Sequence, residues 1–94
     1  MTQIVSLSLN VVGRVQGVGF RAMTQRKATE LGLVGFVQNL PDGSVMIEAE
    51  GPVEQLSELI QWCRRNPGWS RVSDVSITEI PVIGYLQFEI KHGR

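Results

Sequence analysis

Apolar and polar residues alternate along several short stretches of the chain, and this alternation predicts half-buried strands. The first stretch is Leu7-Ser8-Leu9-Asn10-Val11, in which every second residue is apolar. Four further strands are predicted over residues 33–39, 44–50, 72–80 and 86–90. The turn Leu40-Pro41-Asp42-Gly43 joins the second strand to the third, because proline fixes φ, aspartate bonds its own backbone and glycine supplies a positive φ. These two strands are therefore predicted to form a hairpin.

Two segments instead repeat their apolar residues every three or four positions, which predicts helices. The first helix is predicted from about Arg21 to Leu31, followed by Gly32 as a C-terminal cap. The second is predicted to open at Gly51-Pro52, with proline at its first position, and to stop at Asn66-Pro67-Gly68. The predicted core-facing stripes are Phe20, Thr24, Ala28 and Leu31 in the first helix, and Val53, Leu56, Ile60 and Cys63 in the second.

The element order is strand, helix, strand, strand, helix, strand, with a short extra strand at the end. This order predicts an α+β fold, the ferredoxin-like βαββαβ two-layer sandwich, with two helices on one face of a mostly antiparallel sheet. The 94 residues are predicted to form one domain, 1–94. In this fold the first two strands run parallel, so we expect their C-terminal ends to lie at the same sheet edge.

A glycine-rich loop, Gly13-Arg14-Val15-Gln16-Gly17-Val18-Gly19-Phe20-Arg21, leads from the first strand into the first helix. Glycine lets a ligand approach the backbone, and a helix start offers unpaired N–H groups at the positive end of the helix dipole. The loop is therefore predicted to form an anion cradle, a binding site made of backbone N–H groups, for which phosphate is the commonest ligand. Arg21 opposes the dipole at a cost of roughly 0.3–1 kcal/mol, which a bound dianion would reverse. A tight loop with an exposed arginine is the alternative interpretation.

Asn39 ends the second predicted strand, at the sheet edge where the loop leaves the first. Its side-chain amide can therefore meet the cradle, although 18 positions separate Arg21 from Asn39. Alternatively, Asn39 caps the hairpin turn, as asparagine often does. Topology alone favours neither interpretation.

Composition and charge narrow the functions that are open to the chain. Nine basic and nine acidic residues give a net charge of zero, so no overall field draws nucleic acid or an anionic membrane. The lack of a long apolar run or a basic leader predicts a cytoplasmic protein without a membrane segment. Cys63, the one cysteine, lies on an apolar stripe and is predicted to be a core residue rather than a nucleophile. His92, the one histidine, is predicted to be an incidental surface residue.

The candidate chemistry is phosphate binding without an obvious metal, nucleophile or acid–base group. No Walker lysine follows the last glycine of the loop, and no His/Cys cluster has zinc spacing. Such a cradle suits simple binding or an easy hydrolysis. An acyl phosphate is an easy case, because its carboxylate leaving group, with an acid pKa near ~4, departs without being protonated. The protein need only hold the phosphoryl oxygens, stabilise charge and place a water in line.

The chain closely resembles the acylphosphatase family. The similarity lies in the glycine loop and in Leu31-Gly32-Leu33, Gly35-Phe36-Val37-Gln38-Asn39, Asp42-Gly43-Ser44-Val45, Gly51 and Phe88-Glu89-Ile90. It implies metal-free, cofactor-free hydrolysis of a small-molecule acyl phosphate to a carboxylate and inorganic phosphate. Arg21 matches the family's phosphate-binding arginine, and Asn39 matches the asparagine that orients the attacking water. The resemblance also implies a cradle built from the backbone amides of Val15, Gln16, Gly17, Val18, Gly19 and Phe20.

The same resemblance implies that the substrate phosphate accepts the proton of the water. This agrees with the lack of an obvious general base in the sequence. Gln16 and Arg14 are expected to support the loop rather than to act in catalysis. Phe36 is often tryptophan in relatives and Gln38 is commonly basic. Both flank Asn39 and are expected to tune rate or substrate preference.

Three other functions are alternatives to acyl phosphate hydrolysis. An RNA-binding sheet needs outward aromatic residues, whereas the outward positions here are predicted to be Ser8, Asn10, Met46, Glu48 and Glu50. A non-catalytic, small-anion-binding regulatory module of the same fold remains the alternative, disfavoured by Asn39 at its matching position. An accessory domain of a larger maturation protein is disfavoured by the length of the chain. Nothing in the sequence demands more than a monomer.

Overall fold

The computed structural model describes residues 3–92, so the outermost two residues at each end of the predicted 1–94 domain lie outside it. The elements, in chain order, are β1 (Ile4–Arg14), α1 (Phe20–Glu30), β2 (Val34–Asn39), β3 (Val45–Pro52), α2 (Val53–Arg64), β4 (Arg71–Ile80) and β5 (Phe88–Lys91). This is the predicted βαββαβ order followed by a short extra strand. The ferredoxin-like α+β fold is therefore confirmed, with β5 beginning two residues later than predicted.

The five strands form one sheet in the order β4-β1-β3-β2-β5. β3 pairs antiparallel with both β1 and β2. Strands β1 and β2 consequently run in the same direction, as predicted, on either side of β3. The edge strand β5 pairs parallel with β2. The C-terminal ends of β1, β2 and β5 therefore lie at one edge of the sheet.

The core lies between the sheet and the two helices. Phe20, Thr24 and Ala28 of α1 are buried, as the helical periodicity predicts. In α2, Leu56 and Cys63 are buried as predicted, but the third buried residue is Leu59. The predicted stripe through Val53 was wrong, because Pro52 is the N-cap and Val53, the first helical residue, is 53% exposed.

Two glycines let strands approach more closely than any side chain would allow. Gly35 of β2 has a φ of 140°, and a Cβ there would collide with the carbonyl oxygen of Glu48 in β3. Gly13 has a φ of 133°, and its Cβ would collide with the carbonyl oxygen of Arg71 in β4. The pairing of β1 with β4 also shifts register between Val12 and Gly13. This irregularity turns the end of β1 just before the glycine loop begins.

A buried carboxylate holds the β4–β5 connection against the sheet face opposite the helices. Glu50 of β3 is 2% exposed and accepts hydrogen bonds from the backbone N–H groups of Ile83, Gly84 and Tyr85. Burial raises the pKa of the Glu50 carboxyl, but the hydrogen bonds from these three amides outweigh it and leave the pKa below its ordinary value of 4.5. The charged form of Glu50 thus stabilises the folded state.

The free energy of unfolding is expected to fall at acidic pH, because Glu50 becomes protonated. Because the pKa of Glu50 is lower in the folded than in the unfolded chain, its contribution is complete above about pH 4.5 and is lost as pH falls through the folded value. Glu50→Gln should lower the free energy of unfolding by about 1–3 kcal/mol at neutral pH. Urea unfolding at several pH values should show a smaller acid loss in this variant than in the wild type.

The matched control for this measurement is Glu58→Gln, which removes an exposed carboxylate on α2. It should change the free energy of unfolding by less than about 0.5 kcal/mol and retain the acid dependence of the wild type. If Glu50→Gln and the wild type lost stability equally on acidification, Glu50 would not be the acid-sensitive group.

Candidate active site

The loop between β1 and α1 is shaped by two glycines in the left-handed backbone region. Gly17 has a φ of 74° and Gly19 a φ of 77°. A Cβ at either position would meet nothing within 4 Å. Glycine is therefore required by the backbone conformation rather than by packing, and the loop presents this side of its backbone to open space.

The start of α1 is left open to a ligand. Gly19 is its N-cap, no side chain in the described part of the chain caps it, and its first turn carries no acidic residue. The first N–H groups of a helix have no intrahelical partner, and they lie at the positive end of the dipole. An anion at this position would both satisfy these donors and interact favourably with the dipole.

Arg21 lies in this first turn, and its guanidinium is anchored on β5. Its Nη1 donates to the carbonyl oxygen of Lys91 at 3.3 Å. One helical turn later, Gln25 Nε2 donates to the carbonyl oxygen of Phe88 at 3.1 Å. These two side chains tie the same face of α1 to the edge strand. A guanidinium has five N–H donors, and within residues 3–92 Arg21 uses one of them in this anchor, so it has further donors with which to bind an anion.

Asn39 ends β2 with an unsatisfied acceptor. Its Oδ1 is buried and has no hydrogen-bond partner among residues 3–92. A buried polar atom without a partner costs about 1–3 kcal/mol, and such atoms point to a missing ligand or water. This oxygen is available to accept a hydrogen bond from a molecule in the site.

The hairpin turn that follows is closed without the Asn39 side chain. Asp42 Oδ1 accepts from the N–H of Ser44 at 2.9 Å and from its hydroxyl at 2.6 Å. The N–H of Leu40 donates to the carbonyl oxygen of Ser44 at 2.9 Å. The predicted turn chemistry of Asp42 is therefore present, and its two hydrogen bonds lower the pKa of the Asp42 carboxyl. Of the two interpretations of Asn39, the contacts do not favour a turn cap.

Gln16 connects the glycine loop to this turn. Its Nε2 donates to the carbonyl oxygens of Leu40 and Ser44, both at 2.8 Å. Asn10 of β1 adds a hydrogen bond from its Nδ2 to the hydroxyl oxygen of Ser44 at 3.0 Å. These contacts hold the loop next to the residues that immediately follow Asn39, so the position of the cradle relative to the Asn39 amide is set by several hydrogen bonds.

The loop, the helix start and the two strand ends enclose a cleft of about 300 Å³. Its lining consists of Val15, Gly17, Gly19, Phe20, Arg21, Ala22, Asn39, Ile90 and His92. The structure thus brings Arg21 and Asn39 into one cleft. Of the predicted loop residues, Gln16 directs its side chain to the turn and Val18 packs against the core. Their backbone amides remain part of the loop.

His92 lines the cleft, although it was predicted to be an incidental surface residue. The last strand was predicted to stop at residue 90, which left His92 in a tail, whereas β5 extends to Lys91. The signal that could have found it is strand alternation, because residues 88, 90 and 92 share one face when the strand continues.

The remaining candidates of the sequence analysis lie outside the cleft. Cys63 is fully buried, and burial raises the pKa of its thiol to about 12, so it is an inert core residue as predicted. Within residues 3–92, no three His, Cys, Asp or Glu side chains cluster in a way that could hold a metal ion. Over the same residues, no helix has the length and apolar character needed to cross a membrane.

Phe36 lies on the sheet face opposite the cleft. Its ring packs edge-on against Tyr85, with centroids 6.0 Å apart, and the Nζ of Lys91 lies 4.1 Å from its centroid. Neither Phe36 nor Gln38 is among the described residues that line the cleft. Phe36 is connected to the site through Lys91, whose carbonyl oxygen anchors Arg21.

Known proteins are similar to this chain in sequence and in fold. The sequence model of the acylphosphatase family matches residues 7–90. An acylphosphatase of Methylococcus capsulatus is 53% identical over 81 residues, which cover 85% of this chain and 88% of that protein. The structure of an acylphosphatase from Coxiella burnetii has a TM-score of 0.90 at 37% identity and covers 97% of this chain and 100% of its own.

The same fold also occurs inside a much larger protein. The structure of full-length HypF in its phosphate- and nucleotide-bound form has a TM-score of 0.90 at 32% identity. This similarity covers 97% of this chain but only 12% of HypF. The family match over residues 7–90 and the identity to the Methylococcus protein show that this chain belongs to the acylphosphatase family, enzymes that hydrolyse acyl phosphates.

Proposed function

We propose that the chain hydrolyses acyl phosphates in the cleft between the glycine loop and the ends of β2 and β5. The loop amides and Arg21 hold the phosphoryl group, and Asn39 directs a water molecule at phosphorus. The observation that carries this proposal is the buried Asn39 Oδ1, which has no hydrogen-bond partner among the described residues 3–92, in the same cleft as Arg21 and a start of α1 that none of these residues caps with its side chain.

The cradle is suited to a phosphoryl dianion. Gly17 and Gly19 line the cleft immediately before and at the start of α1, and both have positive φ values with open space beside their backbone. Amides held in place before the substrate arrives need no reorganisation as negative charge develops on the phosphoryl oxygens. Arg21 adds a full positive charge, and its anchor on the Lys91 carbonyl restricts where that charge can go.

The reaction needs one new bond and one broken bond at phosphorus. The oxygen of the water forms a bond to phosphorus while the bond from phosphorus to the carboxyl oxygen breaks. The carboxylate leaves with the bonding electrons, and a phosphoryl oxygen takes the proton of the water. Asn39 Oδ1 accepts a hydrogen bond from the water and so fixes its line of approach. No general acid from the protein is needed, because the leaving carboxylate is stable as an anion. No general base from the protein is needed either, because a phosphoryl oxygen takes the proton of the water.

Arg21→Gln is expected to lose phosphate binding and activity together. The glutamine removes the positive charge and most of the donors that face the phosphoryl oxygens. Isothermal titration calorimetry should show inorganic phosphate affinity reduced at least about tenfold. The rate constant kcat for benzoyl phosphate should fall by about a hundredfold or more.

The matched control is Arg26→Gln, which changes an arginine on the same helix that lies outside the cleft. Phosphate affinity and kcat should stay within about twofold of the wild type in this control. Unchanged phosphate affinity in Arg21→Gln would remove Arg21 from the binding site.

Asn39→Ala is expected to separate binding from turnover. Without Oδ1 the water loses its fixed approach, so kcat for benzoyl phosphate should fall by at least about a hundredfold while phosphate affinity changes little. Steady-state kinetics and calorimetry on the same sample measure both quantities. A kcat near that of the wild type would rule out the water-positioning role.

The control for this substitution is Gln61→Ala, which removes an exposed side-chain amide on α2 that does not line the cleft. It should change the free energy of unfolding by less than about 0.5 kcal/mol and leave kcat within about twofold of the wild type. The binding-only regulatory module would be favoured instead if the wild type bound phosphate but hydrolysed no acyl phosphate.

A further inference from the structure

We propose that His92 binds the substrate, and that its protonated imidazole supplies a second positive charge beside Arg21 for the phosphoryl dianion. The inference rests on the proposed function, because it requires the dianion to occupy the cleft. It adds a residue at the end of β5 that the sequence analysis assigned to an incidental surface role.

Strand register places His92 beside Asn39. In the parallel pair of β2 and β5, Gln38 lies opposite Lys91. The next residues along these two strands are Asn39 and His92. Alternation fixes the face, since Phe88 is buried in the core and Lys91 extends to Phe36 on the other side of the sheet. His92 therefore falls on the face that α1 covers, where it lines the cleft.

The anchor of Arg21 brings its guanidinium to the end of β5, where His92 follows. Arg21 Nη1 donates to the carbonyl oxygen of Lys91, the residue immediately before His92. Both Arg21 and His92 line the cleft, and no carboxylate is among the described residues that line it. A dianion bound between them would be their common counter-ion.

The charged groups around His92 define the expected pH dependence. From α1 it faces Arg21, from β2 it faces the uncharged amide of Asn39, and on its own strand Lys91 points to the opposite face. Imidazole is the side chain whose charge changes between about pH 5 and 8. A dianion between Arg21 and an imidazolium would interact favourably with both positive charges. Dianion affinity should therefore fall as pH rises through this range.

Sulfate is the suitable probe, because it has the shape of phosphate and stays a dianion across the range. Phosphate changes its own charge there and would mask the effect. The experiment measures the dissociation constant of sulfate by isothermal titration calorimetry from about pH 5.5 to 8.5. The proteins are the wild type, His92→Gln, His92→Lys and Arg21→Gln, with Glu89→Gln as a control on the outer face of β5.

In the wild type, sulfate affinity is expected to fall by about three- to fivefold as pH rises. The sulfate affinity of His92→Gln should be weak and nearly independent of pH. The sulfate affinity of His92→Lys should stay as tight as that of the wild type at low pH over the whole range. Glu89→Gln should follow the wild-type curve. Circular dichroism shows whether each variant is folded, and His92 is exposed, so its replacement should not disturb the core.

Each outcome decides between the two proposals. If His92→Gln shows the same pH dependence as the wild type while Arg21→Gln loses sulfate, His92 is not a binding residue and the proposed function stands. If Arg21→Gln keeps full sulfate affinity, the anion does not occupy the cleft, and both proposals fall. If His92→Lys bound sulfate as weakly as His92→Gln does, the role of the positive charge would also be contradicted.

Discussion

The site depends on β3 being shared by β1 and β2. Because β3 is antiparallel to both, the first two strands end at the same sheet edge, although a helix separates them in the sequence. The glycine loop leaves one of these ends and Asn39 stands at the other. The parallel edge strand β5 brings a third strand end to the same edge. The topology thus collects three chain segments around one cleft, and the sheet beneath them is their rigid support.

Several local features of the cleft are unfavourable in the absence of a ligand. Two glycines hold left-handed conformations, the start of α1 has no side-chain cap, and Arg21 opposes the helix dipole. The acceptor of Asn39 has no partner in the described residues. The surrounding contacts offset these costs, above all the hydrogen bonds of Gln16 to the hairpin turn. Features that break local rules while their neighbours are well bonded are typical of a site arranged for a ligand.

The fold could be predicted from the sequence, because the alternation of apolar and polar residues indicates the strands and the helical spacing indicates the helices. That Arg21 and Asn39 line one cleft could also be predicted, because the first two strands run parallel and end at the same sheet edge. The role of the glycine loop as a phosphate cradle stays a prediction. The exact buried face of α2 could not be predicted, since Val53 and Leu59 fit helical spacing equally well and only the position of the helix on the sheet distinguishes them. The burial of Glu50 is a long-range effect, because its partners lie more than 30 residues away. His92 was missed for a related reason, since the end of a short edge strand carries little periodicity.

The central claim is that a phosphoryl group lies against backbone amides and Arg21 with Asn39 facing phosphorus. A crystal structure of the protein with inorganic phosphate tests it most directly. The account predicts phosphate oxygens within hydrogen-bond distance of the N–H groups of residues 15–20 and of the Arg21 guanidinium. It also predicts an ordered water between Asn39 Oδ1 and the phosphorus atom. Phosphate bound outside the cleft, or bound there with the Asn39 side chain turned away, would contradict the account.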